Sequence, residues 1–204
     1  GWLRDGVMDV LFPMLYFSGN NFYPFVLDWC ENRYGRHIAP GIGIYRLLPE
    51  HGGWNPIEIK RQMHTSRSAN ANGIMMFRTA HLVGNVGGAR DIYTSIYDRP
   101  AFVPPMDWIT AAPQMPHVTA CERDEEGVSL EWHAVEPADG FPVVRYNVYA
   151  AIGDTVDISN LDNLVAAEQT ATSFRWNCRS NNSMTMAVTT VDACGVESKP
   201  AYIY

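Results

Sequence analysis

The chain has 204 residues, 47% apolar and 12% aromatic, which excludes a disordered chain and leaves room for one large domain or two small ones. A net charge of −7 argues against a nucleic-acid binder, whose footprint is a basic face. No uninterrupted apolar run approaches the roughly 18 to 20 residues of a membrane-spanning helix, so a soluble chain without a membrane span is expected. The sequence opens Gly1-Trp2-Leu3-Arg4-Asp5 with no basic and then apolar leader, and any targeting segment is expected to lie outside it.

Composition changes near residue 110. Residues 1–110 carry ten Lys/Arg and nine Asp/Glu, whereas residues 111–204 carry five and thirteen; aromatics split sixteen to eight. The stretch from Arg99 to Pro116 holds five of the thirteen prolines. Proline removes a backbone donor and disfavours helix at the preceding residue, so this reads as an extended strap. Two domains are therefore expected, 1–110 and 111–204.

In the first, Val7–Phe17 is nearly continuously apolar, the pattern of a strand buried on both faces. Phe22, Phe25, Val26, Trp29 and Cys30 follow at helical spacing, with Pro24 in a first turn. Ile38–Leu47 reads as a second strand. Asn55-Pro-Ile-Glu58 offers an N-cap, a proline at the first helical position and a capping-box carboxylate, opening a helix with Ile59 and Met63 on one face. Gly73–Arg78 is a third short strand. Ala89, Ile92, Tyr93, Ile96 and Tyr97 mark an amphipathic helix. Three consecutive strand–helix units imply a parallel sheet, hence an α/β fold.

The second half changes period. Val128–Trp132, Val144–Val148 and Met184–Thr190 alternate apolar and polar, as half-buried antiparallel strands do. Turn signals at Asp124–Gly127, Pro137–Gly140, Asn181–Ser183 and Ala193–Gly195 separate them. Short strands at this spacing over about ninety residues read as an all-β sandwich.

Leu130-Glu-Trp132, Tyr146-Asn-Val-Tyr149 and Val188–Ser198 resemble a fibronectin type III domain over roughly residues 113–204. Met186 stands where that family's strand-F tyrosine is expected. Asp9–Tyr16, Gly41–Arg46, Glu58–Gln62, Gly73–Phe77 and Pro100–Trp108 resemble the C-terminal part of the glycosyl hydrolase-like 10 family, glycosidases built as (β/α)8 barrels. That resemblance implies a partial barrel, its last three strand–helix units, followed by the sandwich. It also implies an exported bacterial glycoside hydrolase, extracellular or periplasmic, acting on cell-wall or other polysaccharide without a cofactor.

Glycosidases generally use two carboxyl groups flanking the scissile bond, and in such barrels these sit at the C-terminal ends of strands. Here those ends offer Leu15-Tyr16-Phe17, Tyr45-Arg46 and Phe77-Arg78, with no acid. Asp9 lies near a strand start; Asp28, Glu31, Glu58 and Asp91 fall in helices. Glu50, in the loop Leu48–Trp54, is the one catalytic candidate. The expectation is a chain that is not catalytic alone, supplying a cleft wall in which Tyr16, Tyr45, Arg46, Trp54, Arg78 and His81 bind substrate. The competing reading makes Tyr16 and Tyr45 barrel filling and pairs the arginines with neighbouring acids. A non-catalytic carbohydrate- or protein-binding module is the alternative from another class.

Three further readings concern other ligands and bonds. Gly84–Arg90, a glycine-rich loop opening a helix, resembles an anion cradle, though without the Lys-Ser/Thr of a P-loop. None of the six histidines has metal-ligand spacing, and no metal is expected. Cys30 reads as core; a bond between Cys121 and Cys178 is one that an oxidising compartment would permit but that the sequence alone does not assign. Three parallel strands cannot close on themselves, so self-association through the incomplete barrel is expected.

Overall fold

The computed structural model describes residues 1–98, 101–137, 141, 144–177 and 183–204. Contacts divide the chain into two compact units, Gly1–Pro104 and Pro105–Tyr204. The first mixes helix and sheet and the second is all β.

In the first unit, β1 (Val10–Leu11) pairs in parallel with β2 (His37–Ile38), and β3 (Gly41–Ile42) pairs in parallel with β4 (Met75–Met76). A parallel bridge from Met14 to Gly41 joins the two ladders, so three stretches of chain run side by side in the order of the sequence. Between and after them come α1 (Tyr23–Glu31), α2 (Pro56–Ser68), the short α3 (Thr79–Val83) and α4 (Ala89–Ile96).

The strands are shorter than the apolar runs that announce them. Ile44 and Leu47, three residues apart, both enter the core, and a 3-10 turn over Ile44–Leu47 achieves this where a strand would turn one of them outward. Val7–Phe17 is not buried on both faces. Leu15 is in the core, but Val7 is 68% exposed, Phe12 54% and Met14 69%. Period-2 alternation explains the split: Leu11 and Leu15 pack toward the helices, while Phe12, Met14 and Tyr16 take the other face. On that face His37 is buried, its Nε2 3.1 Å from the carbonyl of Pro104.

On α1, Phe22, Val26 and Cys30 make the buried stripe at four-residue intervals, against Leu3, Leu15 and Ile38. Phe25, expected on that stripe, is exposed and packs on the Phe17 ring at 5.6 Å. Asn55 caps α2 through an N–H bond from Ile57 at 3.0 Å, and Pro56 starts the helix. Ile59 and Met63 are fully buried with Ile42, Ile44, Leu47 and Ala89; each such burial stabilises by about 1.5–3 kcal/mol. Glu58 does not close a capping box. Its carboxylate reaches out of the helix to Gly19.

The second unit stacks two antiparallel sheets. One holds β5 (Val118–Asp124), β6 (Gly127–Trp132) and β9 (Ser173–Asn177) in the order β5-β6-β9. The other holds β7 (Val144–Ile152), β8 (Leu164–Gln169), β10 (Met184–Asp192) and β11 (Ala201–Ile203) in the order β11-β10-β7-β8. Val128, Leu130 and Trp132 of the first sheet meet Tyr146, Val148, Ala150, Met184, Met186 and Val188 of the second in one core. Met186, in place of a tyrosine, is simply a core residue. A buried tyrosine hydroxyl appears elsewhere: Tyr146, edge-on to Trp132 at 5.4 Å, accepts from the Val135 N–H at 2.9 Å.

The opposite face of β7 and β10 is buried as well, with Asn147, Tyr149, Thr185 and Thr189 inside. There the polar groups converge on Glu197. Its Oε1 accepts from Tyr149 at 2.8 Å, from Asn147 at 3.0 Å and from the Thr189 hydroxyl. Burial, then the Glu197 carboxylate, pushes the Tyr149 hydroxyl well above its ordinary pKa. Asp192 Oδ1 accepts from the N–H groups of Cys194 and Val196, which shapes the turn after β10.

Candidate functional site

The side chains that follow the C-terminal ends of the three parallel stretches meet. Tyr16 comes after β1, Tyr45 after β3 and Phe77 after β4. Tyr16 lies face to face with Phe77 at 5.4 Å and edge-on to Tyr45 at 5.7 Å; Tyr45 is edge-on to Phe77 at 5.9 Å and to His51 at 5.4 Å. The Tyr45 N–H donates to the Phe77 carbonyl at 3.4 Å, holding the two strand ends together beyond the ladder.

Two glycines in the middle stretch make room for these rings. A Cβ at Gly41 would lie 3.1 Å from Met75 Cε and 3.3 Å from Tyr16 Cε1; one at Gly43 would lie 3.1 Å from both Tyr16 Cδ1 and Tyr45 Cε1. Tyr16 therefore rests across Gly41-Ile-Gly43. Its hydroxyl is buried with no hydrogen-bond partner among the described residues, and burial raises its pKa, with Tyr45 adding to the effect.

Arg46 sits in the 3-10 turn beside Tyr45, and its guanidinium lies 5.3 Å from the Tyr45 ring and 5.8 Å from the Trp54 ring. The loop between them doubles back: Gly53 donates to Leu48 and Trp54 N–H to the Arg46 carbonyl at 2.8 Å, with Gly52 and Gly53 both at positive φ. Arg46 Nη1 donates to the His51 carbonyl at 3.3 Å, and its Nε is buried without a partner among the described residues. Among the described residues no carboxylate pairs with Arg46 or Arg78, which runs against the expectation that neighbouring acids neutralise them.

The structure thus brings Tyr16, Tyr45, Arg46 and Trp54 into one cluster and adds His51 and Phe77. Phe77 was legible in principle as the residue at the third strand end. Arg78 is exposed, just ahead of α3, and His81 is half-buried within it; neither enters the ring cluster. Glu50 is exposed in the turn Pro49–His51, without a second acid beside it at the strand ends. A recess of about 280 Å³ in the same unit is bounded by Trp2, Leu3, Leu11, Trp29 and Tyr34, none of them in this cluster.

The glycine-rich loop is not an anion cradle. Asn85 Oδ1 already accepts from the N–H groups of Arg90 and Asp91 at 2.9 and 3.4 Å, and its amide nitrogen donates to Asp91. The side chain of Asn85 takes the first donors of α4 that a phosphate would need. Among the described residues no cluster of three or more His, Cys, Asp or Glu is placed to hold a metal. Cys30 is buried and Cys121 exposed; its pairing with Cys178 lies outside the described residues. No described helix is long and apolar enough to cross a membrane.

No family model matches the chain. It is 30% identical over 141 residues to Glycosyl hydrolase YngK of Bacillus subtilis (strain 168), a match covering 64% of this chain and 28% of that protein. The chain thus spans little more than a quarter of the length of this relative. Among solved structures, the Clostridium perfringens spore cortex lytic enzyme SleM is similar over 89% of this chain and 75% of its own, at 10% identity and a TM-score of 0.37. Titin module A71 from human cardiac muscle is similar over 44% of this chain and 83% of its own, at 19% identity and a TM-score of 0.30. At those scores neither structural likeness bears on function.

Proposed function

We propose that this chain is the C-terminal portion of an exported glycoside hydrolase acting on cell-wall or other polysaccharide. In this reading residues 1–110 are the last three units of a (β/α)8 barrel and residues 111–204 an accessory fibronectin type III-like sandwich. The observation that carries it is the cluster of Tyr16, Tyr45 and Phe77 beyond three parallel strand ends, with Arg46 held against Tyr45 and Trp54. Flat aromatic faces stack on sugar rings, and an arginine without an acidic partner suits sugar hydroxyls or the carboxylate of an acidic glycan. Arg78, exposed beside Phe77, and His81 in the helix that follows are assigned to the same cleft, outside the ring cluster. The sequence similarity to a glycosyl hydrolase supports the reaction class.

Hydrolysis needs an acid and a second carboxylate, and the strand ends supply neither. The catalytic pair then belongs to preceding barrel units of a longer polypeptide, and the cleft wall binds. The test is to measure turnover of cell-wall glycan by the longer protein carrying Tyr45→Ala or Arg46→Ala. A loss of tenfold or more in kcat/KM at unchanged melting temperature supports the reading; unchanged kinetics refute it.

The second reading, a non-catalytic carbohydrate-binding module, is favoured by the single observation that Glu50 stands without a partner acid. It predicts glycan binding with no upstream strand–helix units in the reading frame.

A further inference from the structure

Glu58, Arg61 and Gln62 project from one side of α2 and take hold of the segment that follows Tyr16. Glu58 Oε1 accepts from the Gly19 N–H at 3.1 Å, Arg61 Nη2 donates to the Gly19 carbonyl at 2.7 Å, and Gln62 Nε2 donates to the Phe17 carbonyl at 2.8 Å. The three are also bound to one another. Arg61 Nη2 and Nε donate to Glu58 Oε1 and Oε2 at 2.7 and 3.0 Å, and Gln62 Nε2 to Oε1 at 2.7 Å.

One ion pair therefore occupies both the backbone donor and the backbone acceptor of a single residue, Gly19, thirty-nine and forty-two positions away in sequence. A solvated helical pair three residues apart has no such reach. Here the Glu58 side chain is only 15% exposed and Gln62 is fully buried. Charge-assisted hydrogen bonds in such a site are shorter and stronger than neutral ones. Phe17 and Gly19 are the residues through which the chain leaves the strand that presents Tyr16. The loop carrying Arg46 and Trp54 enters α2 at its capped end, Asn55. One helix thus adjoins both sides of the ring cluster and is bonded to the Phe17–Gly19 side.

We propose that Glu58, Arg61 and Gln62 are positioning residues that hold Phe17–Gly19, and through it Tyr16, in the arrangement the glycan cleft uses. The functional half of this proposal rests on the cleft reading above; the clamp itself does not. The three residues touch no substrate and take no part in bond cleavage.

The experiment separates the two halves. Amide exchange at Gly19 and affinity for soluble cell-wall oligosaccharides are measured by NMR in the wild-type chain, Glu58→Ala, Arg61→Lys and the double exchange Glu58→Arg/Arg61→Glu. The double exchange restores opposite charges along the helix but leaves Gly19 N–H without an acceptor and its carbonyl without a donor. The clamp requires Gly19 exchange at least tenfold faster in Glu58→Ala and in the double exchange, with α4 amides of the same unit still protected, and a smaller increase in Arg61→Lys. Wild-type protection in the double exchange would show an ordinary helical ion pair and overturn the clamp. If either charge variant fails to fold, wild-type Gly19 exchange in folded Glu58→Asp, whose carboxylate is one methylene too short to reach Gly19, overturns it equally. Faster Gly19 exchange with undiminished oligosaccharide affinity overturns the positioning role while leaving the clamp. No affinity in the wild type overturns the cleft reading alone.

Discussion

The ring of Tyr16 lies against the backbone of Gly43: a Cβ at that glycine would stand 3.1 Å from Tyr16 Cδ1 and 3.2 Å from Tyr16 Cβ. The packing of the aromatic cluster is thus written into the middle strand as an absence of side chain, between two buried isoleucines, Ile42 and Ile44, that face the helices.

Gly43→Ala is expected to push Tyr16 off the middle strand. Overpacking of this kind costs about 1–3 kcal/mol. Thermal melting should show that loss, and the ring contacts from Tyr16 to Tyr45 and Phe77 should weaken in nuclear Overhauser spectra. A variant with wild-type stability and unchanged ring contacts would contradict the packing described.

The chain by itself is expected to hydrolyse no polysaccharide, because Glu50 is exposed and has no partner acid at the strand ends. Reducing-end assays on cell-wall glycan, chitin and xylan should stay at background. Reproducible turnover abolished by Glu50→Gln would overturn the assignment of catalysis to residues outside this chain.

The Glu58 carboxyl responds to acid in a definite direction. Burial raises its pKa, but the hydrogen bonds from Arg61, Gln62 and Gly19 and the charge of Arg61 lower it more, so it ends below its ordinary value. A carboxyl whose folded pKa is depressed adds stability that is fully present above its unfolded value and is lost as pH falls through the folded one. Urea midpoints measured from pH 7 downward should therefore fall less steeply in Glu58→Gln than in the wild type below about pH 4.5. Parallel curves would contradict the role given to Glu58.

The open face of the parallel sheet leaves Phe12, Met14 and Phe77 substantially exposed. Exposed apolar residues at the edges of a short sheet favour association, and a two-fold contact lets each copy cover the other. Light scattering at micromolar concentration should give a mass above the monomer, reduced by Met14→Asp. A monomer across that range would refute self-association.

How much of this was legible depended on the side of each element. Period-2 alternation marked β6, β7 and β10 because Leu130, Val148 and Met186 share one core. Their other faces misled, since Asn147, Thr185 and Thr189 look solvent-facing and are buried around Glu197. In the first unit the helices were readable from their stripes and from the Asn55-Pro56 start. The strand ends were not: Ile44 and Leu47 satisfy a strand and a 3-10 turn equally until their depth is known. Tyr16, Tyr45, Arg46 and Trp54 could be named as a group from their places after the apolar runs. The clamp on Gly19 could not, because Glu58 read locally as a capping-box carboxylate and its true partner, Gly19, is thirty-nine positions away.

Oligosaccharide binding by the chain tests the central claim most directly. Soluble cell-wall oligosaccharides are titrated into the wild type and Tyr45→Ala while the ring resonances of Tyr16, Tyr45 and Trp54 are followed by NMR. The cleft account predicts saturable shifts at those three rings in the wild type and an affinity at least tenfold weaker in Tyr45→Ala. Rings that do not respond to any oligosaccharide, or a response that Tyr45→Ala leaves intact, would contradict it.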